Sequence, residues 1–147
     1  MIQRIQSIFL ALAGGGLFSL FGLPFASTPK VVDNSTLFAN DNVYNLMDNM
    51  ALLLTFVVAG LLALAAIFLF NNRKTQLLLT RLAIITTIIG FGLVCLFMMQ
   101  DWESMANSID DGIGAYIPAV SVILLGLAHR YINKDEQLVR SSYDRLR

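Results

Sequence analysis

The chain reads as an all-α membrane protein, a bundle of four transmembrane helices, and three observations lead there. Hydrophobic residues make up 56% of the 147 and charged residues only 14%, with a mean hydropathy of +0.69. A soluble domain needs about a quarter of its residues charged to cover its surface. Four apolar stretches are each long enough to cross a hydrocarbon core about 30 Å thick, which takes roughly 20 helical residues. The formal net charge is zero, yet the charges are sorted by sign among the segments that join these stretches.

Taken in order, the spans are Ile8–Ala26, Met50–Phe70, Leu77–Met99 and Ile113–Tyr131. The first two hold no charged residue, and the third holds only Arg81, one turn from its start. A long side chain there reaches back to the headgroups. The fourth is apolar until His129 and Arg130. Helices are required because unpaired backbone groups cannot be left in lipid. Transmembrane strands would alternate polar and apolar residues with a turn about every ten, and these runs do not. Arg4 followed by an apolar run also fits a signal peptide. The run is long for one, however, and Pro24 spoils the cleavage pattern near Ala26.

Span one carries a small-residue stripe, Ala11, Gly15, Ser19, Gly22 and Ala26, and span two a matching one, Ala51, Thr55, Ala59, Ala63 and Ala66. Small residues let helices approach closely where water does not drive them together, so these two faces are expected to meet. Gly14–Gly16 weakens the first helix locally. The Asn71–Gln76 link is short enough to force spans two and three into an antiparallel hairpin. The loops Ser27–Asn49 and Gln100–Gly112 are polar. Val43, Leu46, Met47 and Met50 follow helical spacing in one, and Trp102, Met105 and Ile109 in the other, so some helix is expected in each. Trp102 and Tyr116 suit the membrane boundary.

Orientation follows from the basic residues. Arg4, Arg73, Lys74, Arg81, Arg130, Lys134, Arg140, Arg145 and Arg147 fall on one side, leaving only Lys30 on the other. The positive-inside rule puts both termini in the cytoplasm. The whole chain, 1–147, is one domain with a cytoplasmic tail at 132–147.

Several familiar chemistries lack their residues. No span holds an Asp or Glu, which counts against proton-coupled export. One cysteine, Cys95, cannot support disulfide exchange and reads as a small core residue. One histidine, His129, cannot supply two ligands to a haem or three to a zinc. There is no G-x-S-x-G pattern and no phosphate-binding glycine loop. No catalytic residue, cofactor or metal site is assigned. The acids of the outer loops read either as a solvated surface or as a weak divalent-cation site, and Asn34-Ser35-Thr36 fits an N-glycosylation acceptor.

The tail NKDEQLVRSSYDRLR is the most distinctive polar segment. It reads as a basic tail held at anionic headgroups or as a docking segment, with Leu138, Arg140, Arg145, Leu146 and Arg147 making the contacts. The opening MIQRIQS, the four spans and the closing KDEQLVRSSYDRLR resemble a family of small four-span membrane proteins of Bacteroidota, catalogued as a domain of unknown function. That resemblance implies a bacterial inner-membrane location and supplies no catalytic residues. The expected role is a non-enzymatic accessory or scaffold subunit of a larger membrane complex. The expected partners are membrane lipid and either other membrane-protein subunits or a homo-oligomer, with nothing pointing to nucleic acid. The alternative is a small oligomeric transporter or channel component, with Thr55, Thr86, Thr87 and Ser121 lining a polar path.

Overall fold

A computed structural model describes residues 2–28, 42–105 and 110–144, and side chains within those ranges except at 2–4, 101–105, 140 and 142–144. Four helices run through it: α1 Ile2–Ser19, α2 Met50–Phe68, α3 Arg73–Met105 and α4 Ile117–Asp144. Helices α1 and α2, α2 and α3, α3 and α4, and α4 and α1 are neighbours, so the bundle closes into a ring. The end carrying the α2–α3 link and the last turns of α4 is called the basic end here, and the opposite one the loop end.

The surface is inverted relative to a soluble bundle. Ile8, Leu12, Leu61, Ile85, Ile89 and Ile123 all point outward, each more than half exposed. Apolar area on that scale is not left facing water by a soluble monomer. Helices α2, α3 and α4 are also long and apolar enough to cross a membrane, whereas the apolar part of α1, Ile5–Ser19, is shorter. This is a membrane protein.

Asparagines set the helix starts. Asn49 caps α2, its side chain accepting from the Ala51 N–H at 2.9 Å. Asn72 plays the same part for α3, accepting from the Thr75 N–H at 3.3 Å. Each satisfies a backbone donor that the first helical turn leaves without a partner. The link between them is so short that α2 and α3 fold back as the expected hairpin. Helix α3 nevertheless starts earlier and ends later than the apolar run alone suggests, because Arg73–Gln76 and Gln100–Met105 continue its helical backbone.

The first apolar stretch departs from expectation. Its helix stops at Ser19 rather than continuing to Ala26. Backbone bonds from the Phe21 N–H to Phe18 O and from the Gly22 N–H to Ser19 O close the last turn. Pro24 has no N–H and holds the residue before it away from helical backbone. The chain then becomes extended and forms β1, Ala26–Ser27. This pairs antiparallel on one side with β2, Val43–Tyr44, and on the other with β3, Asp110–Asp111. The helix expected around Val43–Met50 is a single 3-10 turn at Leu46–Asp48, with Leu46 buried and Met47 exposed. In the second loop, Met105 lies within α3 and Ile109 outside the described residues.

Two glycines make the loop-end sheet possible. A Cβ on Gly112 would collide with Pro24 O, and one on Gly114 would sit 2.5 Å from the same atom. Without them the backbone comes close enough for the Gly112 N–H to reach Phe25 O at 2.9 Å and the Gly114 N–H to reach Pro24 O at 3.0 Å. Beneath the sheet, Phe25 packs on Tyr44 and Phe56 with ring centroids 5.3 and 6.0 Å away. That cluster extends through Leu17, Leu20, Leu52 and Val94. A second cluster of Leu10, Ala13, Ala63, Ala66, Leu125 and Ile132 fills the basic end.

Candidate functional site

The basic end gathers the buried polar side chains that tie one helix to another. Gln6 on α1 is 3% exposed and donates from Nε2 to Tyr131 O on α4 at 3.3 Å. One turn further along α1, Phe9 stacks on the Tyr131 ring at 5.7 Å. Gln76 on α3 is equally buried and donates to Ala66 O on α2 at 3.0 Å. Arg73 at the start of α3 pairs with Asp135 on α4 at 3.2 Å. Each contact removes from lipid or solvent a polar group that would be costly to leave unbonded. Together they fix all four helices where α4 leaves the apolar zone.

Beyond that anchorage α4 keeps going. The run Asn133–Gln137 is polar throughout, in contrast to the apolar run before it. The backbone stays helical to Asp144. On this projecting segment Leu138 is 49% exposed and Val139 36%. An open groove of about 420 Å³ lies nearby, lined mainly by apolar atoms of Ile8, Ile67, Phe68 and Phe70 with Gln6 and Gln76 among them.

A family model described as Domain of unknown function (DUF4293) matches residues 2–146. The chain belongs to that family. The match spans all four helices and nearly all of the tail, so the projecting end of α4 belongs to the DUF4293 unit itself. No curated protein and no solved structure matches this chain.

The residues singled out in the DUF4293 sequence are placed unevenly. Ala11, Gly15 and Ser19 on α1 and Gly22 just beyond its end are all exposed, and a Cβ on Gly15 would meet nothing within 4 Å. Helices α1 and α2 are neighbours as expected, but α1 uses a different face. Gly14 lies against Leu64 and Phe18 against Gly60, each with a Cβ-to-side-chain approach of 2.9 Å. The physical reason is bulk on the partner helix. Each glycine leaves a hole that a leucine or phenylalanine of the other helix fills, so the two surfaces interlock rather than meeting small residue to small residue. The α2 stripe is divided: Ala59 and Ala63 are buried, Thr55 is half-buried toward Gly90 of α3, and Ala51 is exposed.

Of the tail residues, Leu138 is exposed, Arg140 lies on helical backbone with its side chain outside the described set, and Arg145, Leu146 and Arg147 fall beyond it. Cys95 is exposed on α3, not a core residue. Three threonines bond within their own helices: Thr55 donates to Ala51 O and Leu52 O, Thr86 to Leu82 O, and Thr87 to Ala83 O. Ser121 is buried, beside Gly16. Among the described residues no group of three His, Cys, Asp or Glu comes together.

Gln6 and Gln76 did not stand out in the sequence. Their only signal is position: each is a polar, uncharged residue within two positions of the start of an apolar run, a place that also suits an ordinary solvated residue.

Proposed function

We propose that this DUF4293 protein is a non-enzymatic accessory or scaffold subunit of a larger complex in a bacterial inner membrane. In this reading it has four spans and both termini in the cytoplasm. Helix α1, about 27 Å long at 1.5 Å per residue, crosses with help from the residues after Ser19. The C-terminal part of α4 is the docking element. The observation that carries the reading is Leu138 and Val139, an apolar pair exposed on a helix that has already left the apolar zone. A helix presenting apolar anchors outside the membrane suits a groove on a partner, and the Gln6 hydrogen bond, the Arg73 ion pair and the Phe9 ring stack hold its base rigid, lowering the ordering cost of binding. Locally bonded threonine hydroxyls weigh against the transporter alternative, since they are occupied by their own backbones.

The test is affinity purification of the natively expressed, tagged chain in mild detergent, followed by mass spectrometry. A stoichiometric partner set, lost on deleting Gln137–Arg147 and on Leu138→Asp, is the expected result. Recovery of the chain alone as a monomer overturns the reading. A homo-oligomer that moves ions in liposomes replaces it with transport.

A further inference from the structure

The rim where α3 meets α4 at the basic end has a use that the docking tail does not explain. The Arg73–Asp135 pair fixes the register of these antiparallel helices. Arg81 is eight residues along α3 from that pair and His129 six residues back along α4. At 1.5 Å per residue, both sit about 9–12 Å deeper in the membrane than the pair. The two therefore lie at about the same depth on neighbouring helices, and Arg130 follows at nearly that depth.

This is a cationic rim without counter-charge. Asp135 is taken by Arg73, and Glu136 lies about 10 Å nearer the basic end than His129. Among the described residues neither Arg81 nor Arg130 pairs with a carboxylate, and both are exposed. His129 Nδ1 is closed off and has no hydrogen-bond partner. Guanidinium groups near a helix end reach back to the headgroups, where a lipid phosphate is the anion available to meet them. A turn deeper on the same side of α4, three residues before His129 and four before Arg130, comes Gly126. A Cβ there would meet nothing within 4 Å, so the helix surface is notched directly beyond the cations.

We propose that this rim is a binding site for one anionic phospholipid of the surrounding leaflet. Arg81 and Arg130 hold the phosphate, His129 gains a partner by a small rotation of its ring, and an acyl chain lies in the Gly126 notch. Arginine suits the task because its planar donors match phosphate oxygens in pairs. The notch makes the site more than a patch of charge: it lets the first carbons of the chain lie against backbone instead of being pushed off by a side chain. This inference is independent of the docking role of the tail.

The experiment is native mass spectrometry of the full chain in mild detergent, titrated with phosphatidylglycerol or with phosphatidylcholine. One phosphatidylglycerol per chain is expected, preferred over phosphatidylcholine. Arg81→Gln and Arg130→Gln should each weaken it roughly tenfold, as loss of a charge-assisted hydrogen bond does. Gly126→Leu should weaken it with every charge intact, and Lys74→Gln, which removes an exposed cation away from the rim, should leave it unchanged. These positions are exposed, so the variants are expected to fold. Four results overturn the proposal: no preference between the two lipids; an equal loss from Lys74→Gln and Arg81→Gln, which is diffuse attraction; no effect of Gly126→Leu; or displacement of the lipid by millimolar inorganic phosphate, which makes the ligand a free anion.

Discussion

The Arg73 guanidinium lies 3.2 Å from the Asp135 carboxylate, tying the first turn of α3 to the polar part of α4. With the two side chains 25% and 16% exposed, the pair is better shielded than a surface ion pair. Asp135→Asn should lower stability by about 1 kcal/mol, and Arg73→Gln by a similar amount. The double variant should lose less than the two losses added together. Thermal unfolding of the four proteins in one detergent, at low and high salt, measures the coupling. Additive losses with no salt dependence would mean that the pair contributes nothing.

The α1–α2 contact predicts opposite outcomes for neighbouring glycines. Gly60→Val drives a side chain into the Phe18 ring, already only 2.9 Å from a built Cβ, and should cost about 1–3 kcal/mol by overpacking. Gly15→Ala meets nothing and should be neutral or raise stability by up to about 1 kcal/mol through helix propensity. Equal destabilisation in a thermal-shift comparison would place the α1 interface on the outward stripe after all.

At the loop end, Gly112→Ala places a methyl against Pro24 O. Backbone gives way less readily than a side-chain tip, so the cost should reach about 3 kcal/mol or more. The loop segments should become protease-sensitive as the Gly112–Phe25 and Gly114–Pro24 bonds open. Limited proteolysis of detergent-solubilised protein reads this directly. An unchanged cleavage pattern would argue that the sheet is not formed.

Thr87 is fully buried and spends its hydroxyl on Ala83 O at 2.7 Å. Thr87→Val keeps the shape and removes only that bond, so stability should change by no more than about 1 kcal/mol. Recovery of partners should be unaffected. Thr86→Val should behave alike, since its hydroxyl reaches Leu82 O in the same way. Loss of a measurable flux in either variant, with folding intact, would favour a polar path through the bundle.

Length and apolarity made the helices legible, and the brief polar link made the α2–α3 hairpin legible too. What failed is instructive. The α1 stripe was assigned to the wrong face because, in lipid, both the inward and outward sides of a helix are apolar. The polar–apolar contrast that orients a helix in water is therefore missing. Cys95 misled for the same reason, since a small apolar residue is as comfortable against lipid as in a core. The sheet of β1, β2 and β3 was invisible because strands of two residues have no period. Their signal lay instead in Pro24, Gly112 and Gly114, residues distant in sequence that only the fold brings together. Of the candidate site, the change from apolar to polar residues at Asn133–Gln137 was legible in the sequence, whereas the anchoring roles of Gln6 and Gln76 required the neighbouring helices.

The middle strand of the loop-end sheet comes first in the chain, and one of its two edges is supplied only by Asp110 and Asp111. During synthesis the segment after α1 therefore emerges with an open edge. It stays so while α2 and α3 are made, and closing a loop that long carries an entropic cost before any bond rewards it. Completion of the sheet thus marks the moment when α3 has been made and only α4 is still to follow. A chain interrupted before Gly112 would be left with an uncovered strand, the kind of surface that quality-control proteases and chaperones recognise.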